Sequence, residues 1–194
     1  MPADGPAWIV DPIDGTANYV RGMPTWACAV ACVVDGDPVA AAVVEPDLNR
    51  RYVAGAGTTR RDGVTIATSE LTDPRHGAVV PFYWWPHDAR DAYSAGLDAA
   101  VRRFDDIHRL GCAQATLCSV ADGALAGTFT DRQVASWDAV AGVHLIRRAG
   151  GRVTDIEGEP WTVGAEGLVA SNGVPAVHDA LADCALAART ADEA

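Results

Sequence analysis

Residues Trp8–Tyr19 read WIVDPIDGTANY. The apolar run before Asp11 predicts a short strand over Ala7–Val10 that delivers Asp11 at its carboxyl end. Pro12 fixes one backbone angle and stiffens the turn that we expect next. A reversal of the chain there would bring Asp11 and Asp14 to face one space. A bare D-x-x-D-G is also typical of an ordinary turn, so this stretch alone leaves both interpretations open.

The chemistry of this stretch suits a hard cation. Two carboxylates, Asp11 and Asp14, and the backbone carbonyl of Ile13 are oxygen ligands of the kind that Mg²⁺ prefers. Gly15 allows close approach of the backbone to a ligand. A helical turn that begins at Thr16 would offer its first backbone amides to a phosphate.

A second motif lies far along the chain, where residues 136–142 read SWDAVAG. Ser136 is a natural N-cap, so the pattern predicts a helix over 136–149 that Gly150 ends. The helix dipole favours the ionised form of Asp138 in its first turn. The alternative is an acidic residue that only stabilises a helix start.

Composition excludes several classes of protein. The chain has 194 residues, of which 49% are hydrophobic and 21% charged, as in soluble globular proteins. The longest apolar run, 26–34, is too short to span a bilayer, and no secretory signal is recognisable, so we expect a cytoplasmic protein. The net charge of −11 argues against a nucleic-acid partner. The absence of lysine, with 20 Asp against 6 Glu, favours a salt-loving source or a GC-rich genome.

The cysteines and histidines show no spacing that predicts a zinc site. An odd number of cysteines also fits a disulfide scaffold poorly, so we expect small buried thiols. The five cysteines are Cys28, Cys32, Cys112, Cys118 and Cys184.

Sheet and helix patterns alternate along the rest of the chain. Predicted strands cover 26–34, 39–44, 51–54, 78–83, 106–110, 127–130, 152–154 and 168–170. Predicted helices cover 88–104, 113–125, 136–149 and 175–188. This order predicts layered α/β (α+β) architecture in a single domain over 1–194.

Taken together, W-I-V-D-P-I-D-G-T-x-N-Y and W-D-x-x-A-G resemble the two signature motifs of the inositol monophosphatase family. Residues 21–24, 55–57, 62–64, 110–113 and 149–155 also look like family landmarks. The resemblance implies an αβαβα sandwich, Mg²⁺ as cofactor and hydrolysis of a small sugar or polyol phosphate such as inositol monophosphate. It also implies a homodimer, while the net charge and the short apolar runs argue against nucleic acid and membrane as partners. Histidinol phosphate, fructose bisphosphate and nucleotide 3′-phosphates remain open as substrates.

The resemblance also implies roles for the metal-binding residues. Asp11 matches the aspartate that bridges metals and takes part in catalysis. Ile13 matches the residue that offers its carbonyl. Asp14 and Asp138 match carboxylates of a second metal position.

Further roles concern water and substrate. Thr16 matches the threonine that orients the attacking water, and the amides of Gly15 and Thr16 match the phosphate cradle. Asp131 stands where inositol-cleaving relatives place a glutamate that binds sugar hydroxyls, although it could equally be a solvated loop residue. The residues implied to line the pocket for the alcohol are Gly111, Cys112 and Ala113.

The start of the chain departs from the family pattern. Relatives carry several dozen residues before the first motif, which form helices and supply a glutamate to the first metal site. Only seven residues precede Trp8 here, so we expect the N-terminal helical layer to be missing. The chain could be a fragment of an active enzyme, a short form that another chain completes, or a catalytically impaired fold that binds metal or phosphate.

Overall fold

The computed structural model describes residues 5–82 and 89–192. A first sheet contains six antiparallel strands that pair in chain order. These are β1 (Pro6–Asp14), β2 (Ala27–Val34), β3 (Asp37–Glu45), β4 (Arg50–Ala54), β5 (Arg60–Arg61) and β6 (Val64–Thr65). Asp35 and Gly36 both adopt positive φ at the β2–β3 turn, which is the geometry of a tight hairpin.

A second sheet has five strands in the spatial order β10-β11-β9-β7-β8. These are β7 (Ala78–Pro81), β8 (Asp106–Ile107), β9 (Gly127–Thr130), β10 (Arg152–Thr154) and β11 (Leu168–Ser171). β7 is parallel to β8 and β9, whereas β11 is antiparallel to β9 and β10. The α-helices of the described residues are α1 (Thr16–Val20), α2 (Arg90–Val101), α3 (Ala113–Ala121), α4 (Ser136–Arg148) and α5 (Pro175–Asp192).

The helices form layers with the two sheets. α3 and α4 lie between the sheets, while α2 and α5 pack together on the far side of the second sheet. Every residue from Ala139 to Ile146 of α4 is buried, which fits a helix with a sheet on each side. The predicted layered α/β class is therefore confirmed.

One face of the first sheet is apolar and open to solvent. Trp8, Val10 and Val53 are 69%, 54% and 54% exposed. Val10 pairs with Val30, which pairs with Ala42, which in turn pairs with Val53, so these side chains form one row across four strands. In the described part of the chain, the burial of this sheet comes from its other face, which packs on α4.

Several predicted boundaries differ from the structure. Ser136 is not the N-cap: it is the first helical residue, and Ala135 caps α4 without a side-chain hydrogen bond. α3 ends four residues early because Gly123, at φ 79°, turns the chain. The strand predicted over 106–110 is only two residues long, and α5 continues to Asp192. The predicted strand end at 83 and helix start at 88 lie outside the described residues.

Candidate metal and phosphate site

A β-bulge in β1 places two acidic side chains on the same side. In a regular strand, residues three apart point to opposite faces. Asp11 pairs with Ala29 but Asp14 pairs with Ala27, so β1 contains one extra residue between the two pairs. As a result, Asp11 is half-buried and Asp14 is buried.

This bulge corrects one prediction. The chain does not reverse after Asp11, because β1 continues as a strand to Asp14. Pro12 lies within the bulged segment, where a residue without a backbone N–H costs no ladder hydrogen bond. The bulge, not a turn, therefore aligns the two carboxylates.

Asp138 reaches the same space from the first turn of α4. One carboxylate oxygen from each of Asp11, Asp14 and Asp138 lies within 4.8 Å of the others. Oxygen-only clusters of this size match the ligand chemistry of Mg²⁺ and Ca²⁺. We call these three residues the carboxylate cluster.

Burial and neighbouring negative charges raise the pKa of two carboxyls in the cluster. Burial, aided by the charges of Asp14 and Asp11 and a hydrogen bond with Asp11, raises the pKa of Asp138 to about 7. Burial also raises the pKa of Asp14, although hydrogen bonds from Cys112 and Gln114 oppose that shift. A divalent cation would remove the like-charge repulsion that contributes to these raised pKa values.

Two donors fix the carboxylate of Asp14. The backbone N–H of Gln114 donates to Asp14 Oδ2 at 2.5 Å, and the thiol of Cys112 donates to the same oxygen at 3.0 Å. Both donors belong to the start of α3, since Cys112 is its N-cap. The start of α3 therefore holds one oxygen of Asp14.

Gln114 also joins α3 to α4. Its side chain, which is fully buried, donates to the carbonyl of Trp137 at 2.9 Å and accepts from the N–H of Gly142 at 3.0 Å. Trp137 directly precedes Asp138, so this clamp positions the start of α4 relative to Asp14. Sequence reasoning missed Gln114, because no motif marks it and its partners are backbone groups distant in sequence.

The first motif packs tightly against the segment that leads into α3. Gly15 has φ 79°, and a Cβ added to it would lie 3.0 Å from Cβ of Cys112 and 3.2 Å from the carbonyl oxygen of Gly111. Only glycine fits this approach without displacement. The hydroxyl of exposed Thr16 donates to the carbonyl of Ile13 at 2.9 Å, so that carbonyl keeps one lone pair for another partner.

Asn18 is a second buried clamp; it belongs to the first motif, but the sequence assigned it no role. Its side-chain amide donates to the carbonyls of Thr25 and Leu110, each at 2.7 Å. Gly111, at φ 73°, packs directly on the Asn18 side chain. Asn18 thus holds the 110–113 segment against α1.

A cavity of about 350 Å³ opens beside the carboxylate cluster. Its lining includes Asp14 and Asp138 together with Gly111, Cys112 and Ala113. Asp131 is buried, at 7% exposure, and does not line the cavity, although its neighbours Thr130 and Arg132 do.

The cysteines differ in burial more than expected. Cys112, Cys118 and Cys184 are buried, but Cys28 and Cys32 are half-exposed on the open face of the first sheet. The expectation of buried thiols is therefore wrong for these two. Residues 28 and 32 lie on the strand face opposite the buried alanines of β2.

Comparisons with known proteins agree with this geometry. The inositol monophosphatase family matches residues 1–192. The probable inositol 1-monophosphatase ImpA of Mycobacterium tuberculosis is 36% identical over 180 residues, or 88% of this chain and 64% of that protein. The histidinol-phosphatase of the same organism is 34% identical over 187 residues, or 90% and 67%. The solved inositol monophosphatase from Anabaena aligns with a TM-score of 0.87 at 26% identity, covering 96% of this chain and 73% of that chain.

The fold and the site define a layered α/β protein with a carboxylate cluster suited to a divalent cation. The chain belongs to the inositol monophosphatase family. It spans between about half and two thirds of the length of the curated relatives that it matches. Among the helices of residues 5–82 and 89–192, none is both long enough and apolar enough to cross a bilayer.

Proposed function

We propose that this chain carries the site of a Mg²⁺-dependent phosphomonoesterase that hydrolyses a small sugar or polyol phosphate, such as inositol monophosphate. The observation that carries the proposal is the carboxylate cluster, whose oxygens lie within 4.8 Å of one another. The adjoining cavity has room for a ligand larger than the phosphoryl group.

The chemistry of the donors fits the cofactor. Asp11, Asp14 and Asp138 would hold the cation, and the carbonyl of Ile13 would add a neutral oxygen ligand. When bound, the cation lowers the pKa of the attacking water and neutralises charge on the phosphoryl oxygens. Phosphoryl transfer needs mainly such positioning and charge stabilisation.

The remaining residues would position the reactants. Thr16 would orient the attacking water through its hydroxyl, which already contacts the Ile13 carbonyl. The amides of Gly15 and Thr16 would bind phosphoryl oxygens. Gly111, Cys112 and Ala113 would contact the leaving alcohol. Asp131 would act on the alcohol only indirectly, since its side chain is buried outside the cavity lining.

The test is release of inorganic phosphate from inositol monophosphate by the full chain, with and without added Mg²⁺. We expect turnover that requires the cation and that falls by more than about 100-fold in Asp11→Asn, because even indirect support of metal ligands is worth 10–100-fold. Equal phosphate release with excess chelator would overturn the proposal. The expected homodimer and cytoplasmic location also remain predictions.

A second candidate is a module that binds Mg²⁺ and phosphate without turnover. The observation in its favour is that the oxygens of the carboxylate cluster lie close enough to hold a cation whether or not turnover follows. This candidate predicts a rise in thermal midpoint with Mg²⁺ and inorganic phosphate. It also predicts that no phosphate ester tested is hydrolysed.

A further inference from the structure

The short helix α1 forms part of the cavity wall. Ala17 and Asn18 of α1 line the cavity, and so does Met23 just after the helix. α1 has only five residues, and no side chain caps its start. A helix of this length is not stable by itself in water, so the position of α1 depends on what packs against it.

The two sides of α1 are held in different ways. Asn18 holds the inner side through its hydrogen bonds to the carbonyls of Thr25 and Leu110. On the outer side, the rings of Tyr19 and Trp26 lie with their centroids 4.9 Å apart at an interplanar angle of 70°. This edge-to-face arrangement is favourable beyond the area that the rings bury.

Trp26 is itself anchored to the first sheet. Its indole N–H donates to Oδ2 of Asp47 at 2.8 Å. Asp47 lies in the β3–β4 turn, which the N–H of Asn49 closes on the carbonyl of Pro46 at 3.1 Å. A hydrogen bond to a charged acceptor is stronger than one between neutral groups. Tyr19, Trp26 and Asp47 thus connect α1 to the sheet, and we call these three residues the Trp26 brace.

The carboxylate cluster lies outside the part of the chain that the Trp26 brace holds. Asp11 and Asp14 lie in β1, which the pairing with β2 fixes, and Asp138 lies in α4. A shift of α1 would therefore change the cavity wall and leave the candidate ligands of the cation in place. Binding of the ester and binding of the cation should respond differently to a loosened brace.

We propose that Trp26 is a positioning residue, which fixes α1 through Tyr19 and Asp47 and thereby sets the part of the cavity wall that the alcohol of the substrate contacts. This inference rests on the proposed phosphomonoesterase function. Loosening the brace should weaken binding of the ester but not of Mg²⁺. A residue with only a structural role would instead lower stability and the fraction of active protein, and would leave KM unchanged.

Two variants break the indole hydrogen bond from opposite ends. Trp26→Phe retains a ring for Tyr19 but lacks the N–H, and Asp47→Ala removes the acceptor. With inositol monophosphate and Mg²⁺, we expect each variant to raise KM about three- to tenfold, the effect of one hydrogen bond to a charged group. The Mg²⁺ concentration that gives half-maximal turnover should not change. The double variant should match the single variants, because both changes remove the same bond.

Trp8→Phe is the matched control. Trp8 is 69% exposed on the open face of the first sheet and is not among the described residues that line the cavity. Its replacement should leave KM unchanged. Hydrogen exchange of the α1 amides adds a measurement that needs no turnover. Exchange should be faster in Trp26→Phe and in Asp47→Ala than in the wild type or in Trp8→Phe.

The outcomes separate this inference from the proposed function. Hydrolysis with unchanged KM in both brace variants, or increases in KM that add in the double variant, overturns the inference and leaves the phosphatase proposal standing. Absence of hydrolysis by the wild type overturns the phosphatase proposal. In that case hydrogen exchange decides: faster exchange confined to α1 supports the brace, and equal or uniformly faster exchange overturns it.

Discussion

The sulfur of Cys112 lies 3.0 Å from Oδ2 of Asp14, although 98 residues separate them in sequence. The same sulfur accepts from the N–H of Ala115 at 3.4 Å, as an N-cap of α3. Burial, followed by the nearby charge of Asp14, raises the pKa of the Cys112 thiol, so it remains protonated and able to donate. The thiol thus connects a candidate metal ligand to a helix start.

Cys112→Ala should weaken Mg²⁺ binding by about 10–100-fold, the usual effect of losing a group that supports a metal ligand. Cys112→Ser should retain most of the affinity, since a hydroxyl makes both hydrogen bonds. Calorimetric titration of Mg²⁺ into both variants measures the difference. Equal affinity in the Ala and Ser variants would contradict a positioning role for the thiol.

Gln114→Leu should lower both stability and Mg²⁺ affinity. It removes the hydrogen bonds to Trp137 and Gly142 at the start of α4. Loss of buried partners costs about 1–3 kcal/mol for each group left unsatisfied. We therefore expect the free energy of unfolding to fall by about 2–4 kcal/mol in denaturant titrations.

The matched control for that variant is Gln133→Leu. Gln133 is exposed and makes a single hydrogen bond, 2.9 Å to the carbonyl of Gly164. Its replacement should change the free energy of unfolding by no more than about 0.5 kcal/mol. A similar loss of stability in both variants would contradict the assignment of that loss to the buried hydrogen bonds of Gln114.

Asp138→Asn should abolish Mg²⁺ binding in the micromolar to millimolar range and reduce turnover by more than about 100-fold. When both proteins are measured without Mg²⁺ at pH 8, the variant should nevertheless be at least as stable as the wild type. The reason is that a carboxyl with a pKa raised to about 7 destabilises the fold as pH rises through that value. Asp179→Asn, on the exposed face of α5, is the control and should affect neither property.

The buried hydrogen bonds of His178 predict that the protein loses stability in acid. Its Nδ1 lies 2.9 Å from the hydroxyl of Ser171 and its Nε2 lies 3.0 Å from that of Thr154. Because the Thr154 hydroxyl donates to the carbonyl of Asp155, it accepts from Nε2–H, which leaves Nδ1 as an acceptor from Ser171. The network therefore needs the neutral imidazole.

Burial, with a smaller effect of Arg152, lowers the pKa of His178 from 6.5 to about 4. Between these two pKa values the unfolded chain binds a proton that the folded chain does not. The contribution of His178 to the free energy of unfolding is therefore fully present above pH 6.5 and is lost as the pH falls towards 4. We expect a loss of about 1–2 kcal/mol between pH 8 and pH 5 from this group. His178→Gln should remove that part of the pH dependence, and His76→Gln, at an exposed site, should leave it intact.

The sequence was sufficient for the layered α/β class, because apolar runs such as 26–34 and helical patterns such as 136–149 indicate which segments form strands and which form helices. It also singled out Asp11, Asp14 and Asp138 as candidate ligands. It failed on how the first two align. A bulge depends on the register between β1 and β2, and no residue in β1 alone encodes that register.

Gln114 and Asn18 show why other parts of the site were not predictable. Both act through hydrogen bonds to backbone groups of distant segments, and any residue type at the partner positions supplies the same groups. The half-exposed Cys28 and Cys32 were mispredicted for a related reason. Their burial depends on whether another layer covers that sheet face, and strand periodicity does not carry that information.

Asp14 ends the first strand and Asp138 lies in the first turn of the fourth helix, so a single ion held by both would tether the first sheet directly to that helix. Removing the ion would free that tether as well as stop the chemistry. The melting temperature should therefore begin to rise in the same range of free Mg²⁺ concentration in which phosphate release becomes half-maximal.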